Sequence, residues 1–193
     1  MPSLFQEPAM ARHLPRAELL AGLPEILASP KDGGRVDGIV VRPASEQRQE
    51  VESIGISLAR GLEGDHWAKG CWMSTEDGQP HPDVQICIMS SRCIALIAQD
   101  RDNWAPAGDN LFVDMDLTPS NLPPGTQLSV GTAVIEITDT PHKGCAKFIQ
   151  RYGRDACVFV NMDDGDKYKL RGIYARVVKD GQLSLGDTMK KLA

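Results

Sequence analysis

Gly131-Thr-Ala-Val-Ile-Glu-Ile-Thr-Asp-Thr-Pro-His-Lys-Gly-Cys-Ala-Lys-Phe148 runs a strand, a loop and the start of a helix together. Thr126–Val130 and Ala133–Thr138 flank Gly131-Thr132, the pattern of a β-hairpin. His142–Tyr152 reads as the helix that follows, and Asp155–Val160 as a second short helix or strand.

Working outward, strand signals dominate. Val36–Val41 is a short β-branched run closed by Pro43, and Val51–Leu58 alternates roughly as a strand does. Gly61–Gly70 is a glycine-punctuated loop, and Cys71–Pro82 a long polar one. Val84–Met89 reads as a buried strand, after which Ser90 or Ser91 can cap a helix over Arg92–Asp100. Asn110–Val113 and Gly172–Val178 are further strands; Asp180-Gly181 is a hairpin turn signal answered by Leu183–Leu185. Many short strands with few helices point to a barrel or folded sheet rather than βαβ units. The expected class is mainly β with a few helices (α+β). Ahead of it, Arg16–Ala28 has helical spacing interrupted by Pro24. Residues 1–34 therefore read as an N-terminal helical arm and 35–193 as a β-barrel domain.

The chain has 193 residues, 41% of them hydrophobic and 24% charged, ordinary values for one globular domain. A net charge of −5, few aromatics and no basic stripe argue against nucleic acid. No glycine-rich phosphate loop appears, so no nucleotide cofactor is expected. Met1–Ala28 lacks the pattern of a signal peptide, and no uncharged run approaches bilayer length. These readings predict a cytoplasmic protein with no membrane partner. Cys71, Cys87, Cys93, Cys145 and Cys157 are odd in number and irregularly spaced, so free thiols are expected.

One of those thiols stands out. Placed in the first turn of a helix, Cys145 would face unpaired N–H groups and the positive end of the dipole. His142 and Lys143 precede it, and Lys147 and Arg151 follow. Cations nearby favour thiolate, hence a nucleophilic or metal-binding sulfur. The same residues also fit a small side chain packing a helix start beside a solvated basic face. A zinc site built from His142 and Cys145 with Cys71, His66 or His81 lacks the second close ligand pair that structural zinc uses.

Several separated pieces, in one shared order from Arg35 to Leu192, resemble the MOSC domain family. They are Gly61-Leu-Glu-Gly-Asp65, Val84-Gln-Ile86, Gly108-Asp-Asn-Leu111, Gly131–Thr138 leading to Cys145, Arg171-Gly-Ile-Tyr-Ala-Arg176, Asp180-Gly181 and Gly186-Asp187. Gly144 stands where many members carry proline. No aminotransferase-like domain with a cofactor lysine accompanies these pieces, so the chain is not similar to a complete cofactor sulfurase.

The resemblance implies a MOSC-type β-barrel with peripheral helices. It also implies molybdenum cofactor (molybdopterin) or activated-sulfur chemistry through Cys145. That sulfur would either carry a persulfide to or from a partner protein, or ligate molybdenum directly as a soft donor. Lys143, Lys147, Arg151 and Arg171 are the candidates for the pterin phosphate, with Asn110 as a hydrogen-bonding contact. The catalytic candidates beside Cys145 are His142, Asp65 and His66, the last for proton transfer near neutral pH. Lys167–Arg171 also fits a solvated loop, Asp65 a loop cap and Asn110 a turn. Two rival functions remain beside sulfur transfer: a cofactor-dependent reductase of N-hydroxylated compounds, and a non-catalytic module that binds or delivers the cofactor. Self-association into a homo-oligomer is left open.

Overall fold

The computed structural model describes residues 12–162 and 164–192. The helices are α1 (Arg16–Leu27), α2 (Trp67–Gly70), α3 (Ser91–Ala98), α4 (Ala146–Tyr152), α5 (Arg154–Asn161) and α6 (Asp164–Lys167). The strands are β1 (Gly34–Val41), β2 (Gln49–Glu50), β3 (Ser53–Ser57), β4 (Gly61–Leu62), β5 (Ile86–Ser90), β6 (Leu111–Asp114), β7 (Gln127–Val130), β8 (Ala133–Ile137), β9 (Ile173–Lys179), β10 (Gly181–Ser184) and β11 (Thr188–Lys191).

Seven strands close a barrel in the order β11-β7-β8-β9-β5-β6-β1, sealed by β1 against β11, so the mixed α+β barrel expected from the sequence is the fold that forms. All neighbours are antiparallel except β5 and β6, whose long crossover carries α3. The alternation in β8 explains which face turns inward: Ala133, Ile135 and Ile137 are buried while Val134 and Glu136 are half-buried outside. Inside, they meet Ile39, Ile88, Leu111, Leu128, Val130 and Val177. β5 is buried on both faces. Ile86 and Ile88 point into the barrel, whereas Met89 packs outward against Cys93, Ile94 and Phe112. Two covered faces are what a strand reading as a continuous apolar run requires. Full burial of each such side chain is worth roughly 1.5–3 kcal/mol.

The helices cover one side of the barrel. Ser90 caps α3 by accepting from the Cys93 amide, the capping role read from the sequence. α1 packs on α3 and α5, burying Leu19 and Ile26, while Leu20 and Leu27 stay exposed. Pro24 lies within α1 without breaking it; Leu20, whose carbonyl is deprived of its amide partner, is an exposed residue. The first eleven residues of the expected arm lie outside the described residues.

Two local expectations fail. Asp180-Gly181 does turn the chain, but β10 does not fold back on β9. It pairs with β3 in a separate three-stranded sheet, β10-β3-β4, and Asp180 accepts from the Leu58 amide. Gly61–Gly70 is not loop throughout: Gly61-Leu62 pairs with β3, and Trp67–Gly70 makes a helical turn.

Candidate functional site

The helix expected over His142–Tyr152 starts at Ala146, and Cys145 is its N-cap in extended conformation (φ −118°, ψ −174°). Asn161 from α5 explains the late start. Its Oδ1 accepts from the Gly144 amide at 2.7 Å and its Nδ2 donates to the Gly144 carbonyl at 2.9 Å. The pair of bonds holds the chain extended up to Cys145. Gly144 matters because proline there would have no N–H to give. The Cys145 thiol makes no capping bond and is exposed to solvent. The sulfur is therefore reachable, but it sits at the helix threshold rather than inside the first turn.

Beside α4, which contributes Lys147 and Arg151, lies a dense charge network that composition hides. Three successive carbonyls of the Pro106–Gly108 turn accept from three different arginines. Arg151 Nη1 donates to Pro106 at 2.7 Å, Arg171 Nη2 to Ala107 at 3.1 Å and Arg42 Nη1 to Gly108 at 3.2 Å. Arg48 lies beside the same turn, where a Cβ on Gly108 (φ +90°) would stand 3.4 Å from its guanidinium. The Arg48 Nε is buried with no partner, and burial followed by the charges of Arg151 and Arg42 pushes its pKa down.

Carboxylates answer most of this charge. Asp65 grips Arg42 as a fork, with Nε to Oδ2 at 2.9 Å and Nη2 to Oδ1 at 3.1 Å. It also accepts from the amides of Arg42 and Trp67 and from Asn110 Nδ2. Burial pushes the Asp65 carboxyl up, but the Arg42 hydrogen bonds and charge, with these amides, hold it below the usual value. Five donors saturate a carboxylate. Asn110 is fully buried and ties Val40 O, Asp65 and the Cys87 amide together. Asp109, also fully buried, pairs with Arg171 at 2.7 and 2.9 Å. Glu46 joins Lys147 and Arg151. Lys143 turns away to Asp166. In this quarter Arg42, Arg48, Lys147, Arg151 and Arg171 oppose Asp65, Asp109 and Glu46, leaving a local surplus of cations in a chain of net charge −5.

His142 stands in the wall between two cavities of about 150 and 200 Å³. The first is lined by Arg42, His66, Trp67, Cys71, Trp72, Gly108 and Tyr174, the second by Thr138–Pro141, Lys169 and Gly172. The imidazole packs on Tyr174 at 4.4 Å, and its Nδ1 is a buried atom without a hydrogen bond, 3.7 Å from Asp109. Burial, then the charges of Arg171 and Arg42, keeps its pKa well below the ordinary 6.5. His142 is a neutral ring at pH 7. His66 binds the Arg42 carbonyl through Nδ1 at 2.9 Å.

The structure thus gathers Asp65, His66, Asn110, His142 and Arg171 around two residues that sequence reasoning passed over, Arg42 and Arg48. The available signal was an arginine ending a buried strand at Val41-Arg42-Pro43, a costly place for charge unless a carboxylate waits there.

The family comparison covers part of this region, since Arg42, Arg48, Asp65 and His66 precede the matched span. The MOSC domain model matches residues 75–190, well over half of the chain. The chain belongs to the MOSC domain family. Among solved structures, this MOSC protein is similar to the YuaD protein from Bacillus subtilis, at 16% identity over 82% of this chain and 94% of that one, with a TM-score of 0.57. It is also similar to YiiM from Geobacillus stearothermophilus, at 15% identity over 83% and 75% and a TM-score of 0.54. YiiM from Escherichia coli matches at 20% identity over 82% and 70%, with a TM-score of 0.52. At these identities the likeness establishes the fold. No curated protein sequence matches the chain. Among the described residues no helix is long and apolar enough to cross a membrane, and no three His, Cys, Asp or Glu side chains converge as a metal cage.

Proposed function

We propose that this MOSC domain binds a molybdenum cofactor, with Cys145 as the single protein ligand to the metal and the arginine cluster facing the cofactor's anionic pterin phosphate. The observation that carries the reading is the cation surplus at the Pro106–Gly108 turn, next to the helix whose first residue follows an exposed thiol. The orphaned buried donor at Arg48 Nε fits a site that awaits an anion. The donor set fits as well. A bare ion would need three or four protein ligands, whereas a metal that arrives with its own pterin sulfurs needs only one soft donor. When bound, the cofactor supplies two-electron redox chemistry at the metal.

The protein's own residues divide the remaining tasks. Arg42 and Arg171 are committed to Asp65 and Asp109 and hold the turn rigid. Arg48 Nη1 donates to the Gln47 carbonyl at 2.6 Å but its Nε has no partner, and among the described residues its guanidinium makes no ion pair; Lys147 and Arg151 reach an anion by releasing Glu46. Neutral His142 and Tyr174 form an uncharged wall of the cavity that Arg42 and Gly108 also line.

Metal analysis tests this. Protein purified from cells that make the cofactor is expected to carry molybdenum, and Cys145→Ala to lose it. Molybdenum absent from the wild type, or equal in both, sinks the reading. A one-sulfur mass adduct on Cys145 that reductant removes, found without molybdenum, assigns sulfur carriage instead.

A further inference from the structure

Cys157 is one of four free thiols to which the proposed cofactor site gives no role. It lies on α5, 7% exposed, with its sulfur turned toward the loop that delivers Cys145. A Cβ on Gly144 would stand 3.2 Å from the Cys157 sulfur, so the residue adjoining Cys145 rests against it. Asn161 Nδ2 donates to that sulfur at 3.3 Å while also holding the Gly144 carbonyl, so one side chain fixes the Cys157 sulfur and the Gly144 backbone together. No helix or strand stiffens the chain between Ile137 and Cys145, and the Cys145 side chain is free of any capping bond. Disulfide geometry holds the two Cα atoms about 4.4–6.8 Å apart, so closure works against the two Asn161 bonds that hold Gly144.

We propose that Cys157 is the resolving thiol of Cys145, and that a hydroperoxide closes an intrachain Cys145–Cys157 disulfide. The Cys145 thiolate attacks the peroxide; its S–O bond forms, the O–O bond breaks, and the alkoxide or hydroxide leaves to take up a proton. The Cys157 sulfur then attacks the Cys145 sulfenic acid, and the hydroxyl departs with the Cys157 proton as water. Two electrons pass from the thiol pair to the peroxide, and a dithiol reductant reverses the change. The consequence is protection: a sulfur held in the disulfide escapes the irreversible steps of oxidation and is withdrawn from any metal. The inference rests on the exposed Cys145 being the reactive thiol of the site, not on what it binds.

Full-length reduced protein, free of metal, is treated with hydrogen peroxide in slight excess, the remaining thiols are alkylated, and non-reduced peptides are mapped by mass spectrometry. A Cys145–Cys157 cross-linked peptide is expected as the main product. Cys157→Ala, shown folded by circular dichroism, is expected to divert Cys145 to sulfinic and sulfonic acid. Cys145→Ala is expected to leave Cys157 as thiol. The proposal is overturned if wild-type Cys145 overoxidises while Cys157 stays alkylatable, if Cys145 pairs with Cys71, or if Cys157→Ala gives the wild-type products. The mapping needs no cofactor, so a negative result here leaves the molybdenum measurement standing, and the converse holds too.

Discussion

Replacing Arg171 by methionine separates a structural cation from a ligand-binding one. In the folded protein Arg171 Nη1 lies 2.7 and 2.9 Å from the two oxygens of Asp109, which has no exposure at all, and Nη2 holds the Ala107 carbonyl. Removing one member of a buried pair strands the other, at a cost of about 3–5 kcal/mol. That is a large part of the roughly 5–15 kcal/mol a domain possesses. Substituting Asp109→Leu as well removes the stranded charge, so the double variant is expected to regain at least about 2 kcal/mol over Arg171→Met alone. Acidity gives a second signature. Burial already pushes the Asp109 carboxyl up, and Arg171 is the main force opposing it. Without Arg171 the folded-state pKa, already above the unfolded value of about 3.9, rises further. The folded state then holds the proton more tightly, so stability is greatest in acid and falls as pH rises through that pKa, by up to about 1.4 kcal/mol per unit. Urea unfolding followed by tryptophan fluorescence at pH 5 and pH 8 reads both effects. A single variant within about 1 kcal/mol of wild type, or a double variant no better than the single, refutes the claim that this pair is held for the fold.

Two other expectations concern neighbouring groups. His142 is buried neutral among Asp109, Arg171, Arg42 and Tyr174. Its contribution is intact above pH 6.5 and lost as pH falls, because the unfolded chain takes up a proton that the folded ring refuses; the slope reaches about 1.4 kcal/mol per pH unit. His142→Phe should flatten the fall in urea midpoint between pH 7 and pH 5.5, and an unchanged fall would place the titration elsewhere. Glu46→Gln frees Lys147 and Arg151 and is expected to tighten inorganic phosphate binding at the cluster about two- to fivefold. Chemical-shift titration checks this, and equal affinities would mean that Glu46 does not compete for the site.

Much of the architecture was legible because periodicity reports which faces are buried. β8 alternates, β5 is apolar on both sides, and Ser90 caps its helix. What escaped depends on contacts distant in sequence. The strand after Asp180 has ordinary turn chemistry, but β3 outcompetes β9 for its edge. The helix at Cys145 begins late because of an asparagine sixteen positions onward, which no local pattern announces. At the site, Cys145 and Arg171 were visible as residue types. Arg171 turned out to be a buried partner of Asp109, whereas Arg42 and Arg48 gained meaning only when the Pro106–Gly108 turn folded against them.

The hold of three arginines on three adjacent carbonyls has a kinetic corollary. Their guanidiniums come from positions 42, 151 and 171, which lie on either side of the turn in the chain and far from it. No fragment or partly closed intermediate can present them together, and contacts so remote form slowly. An anion bound at this cluster, as proposed above, would therefore select the completed barrel, and its binding free energy would be added to the stability of the whole molecule rather than to one loop.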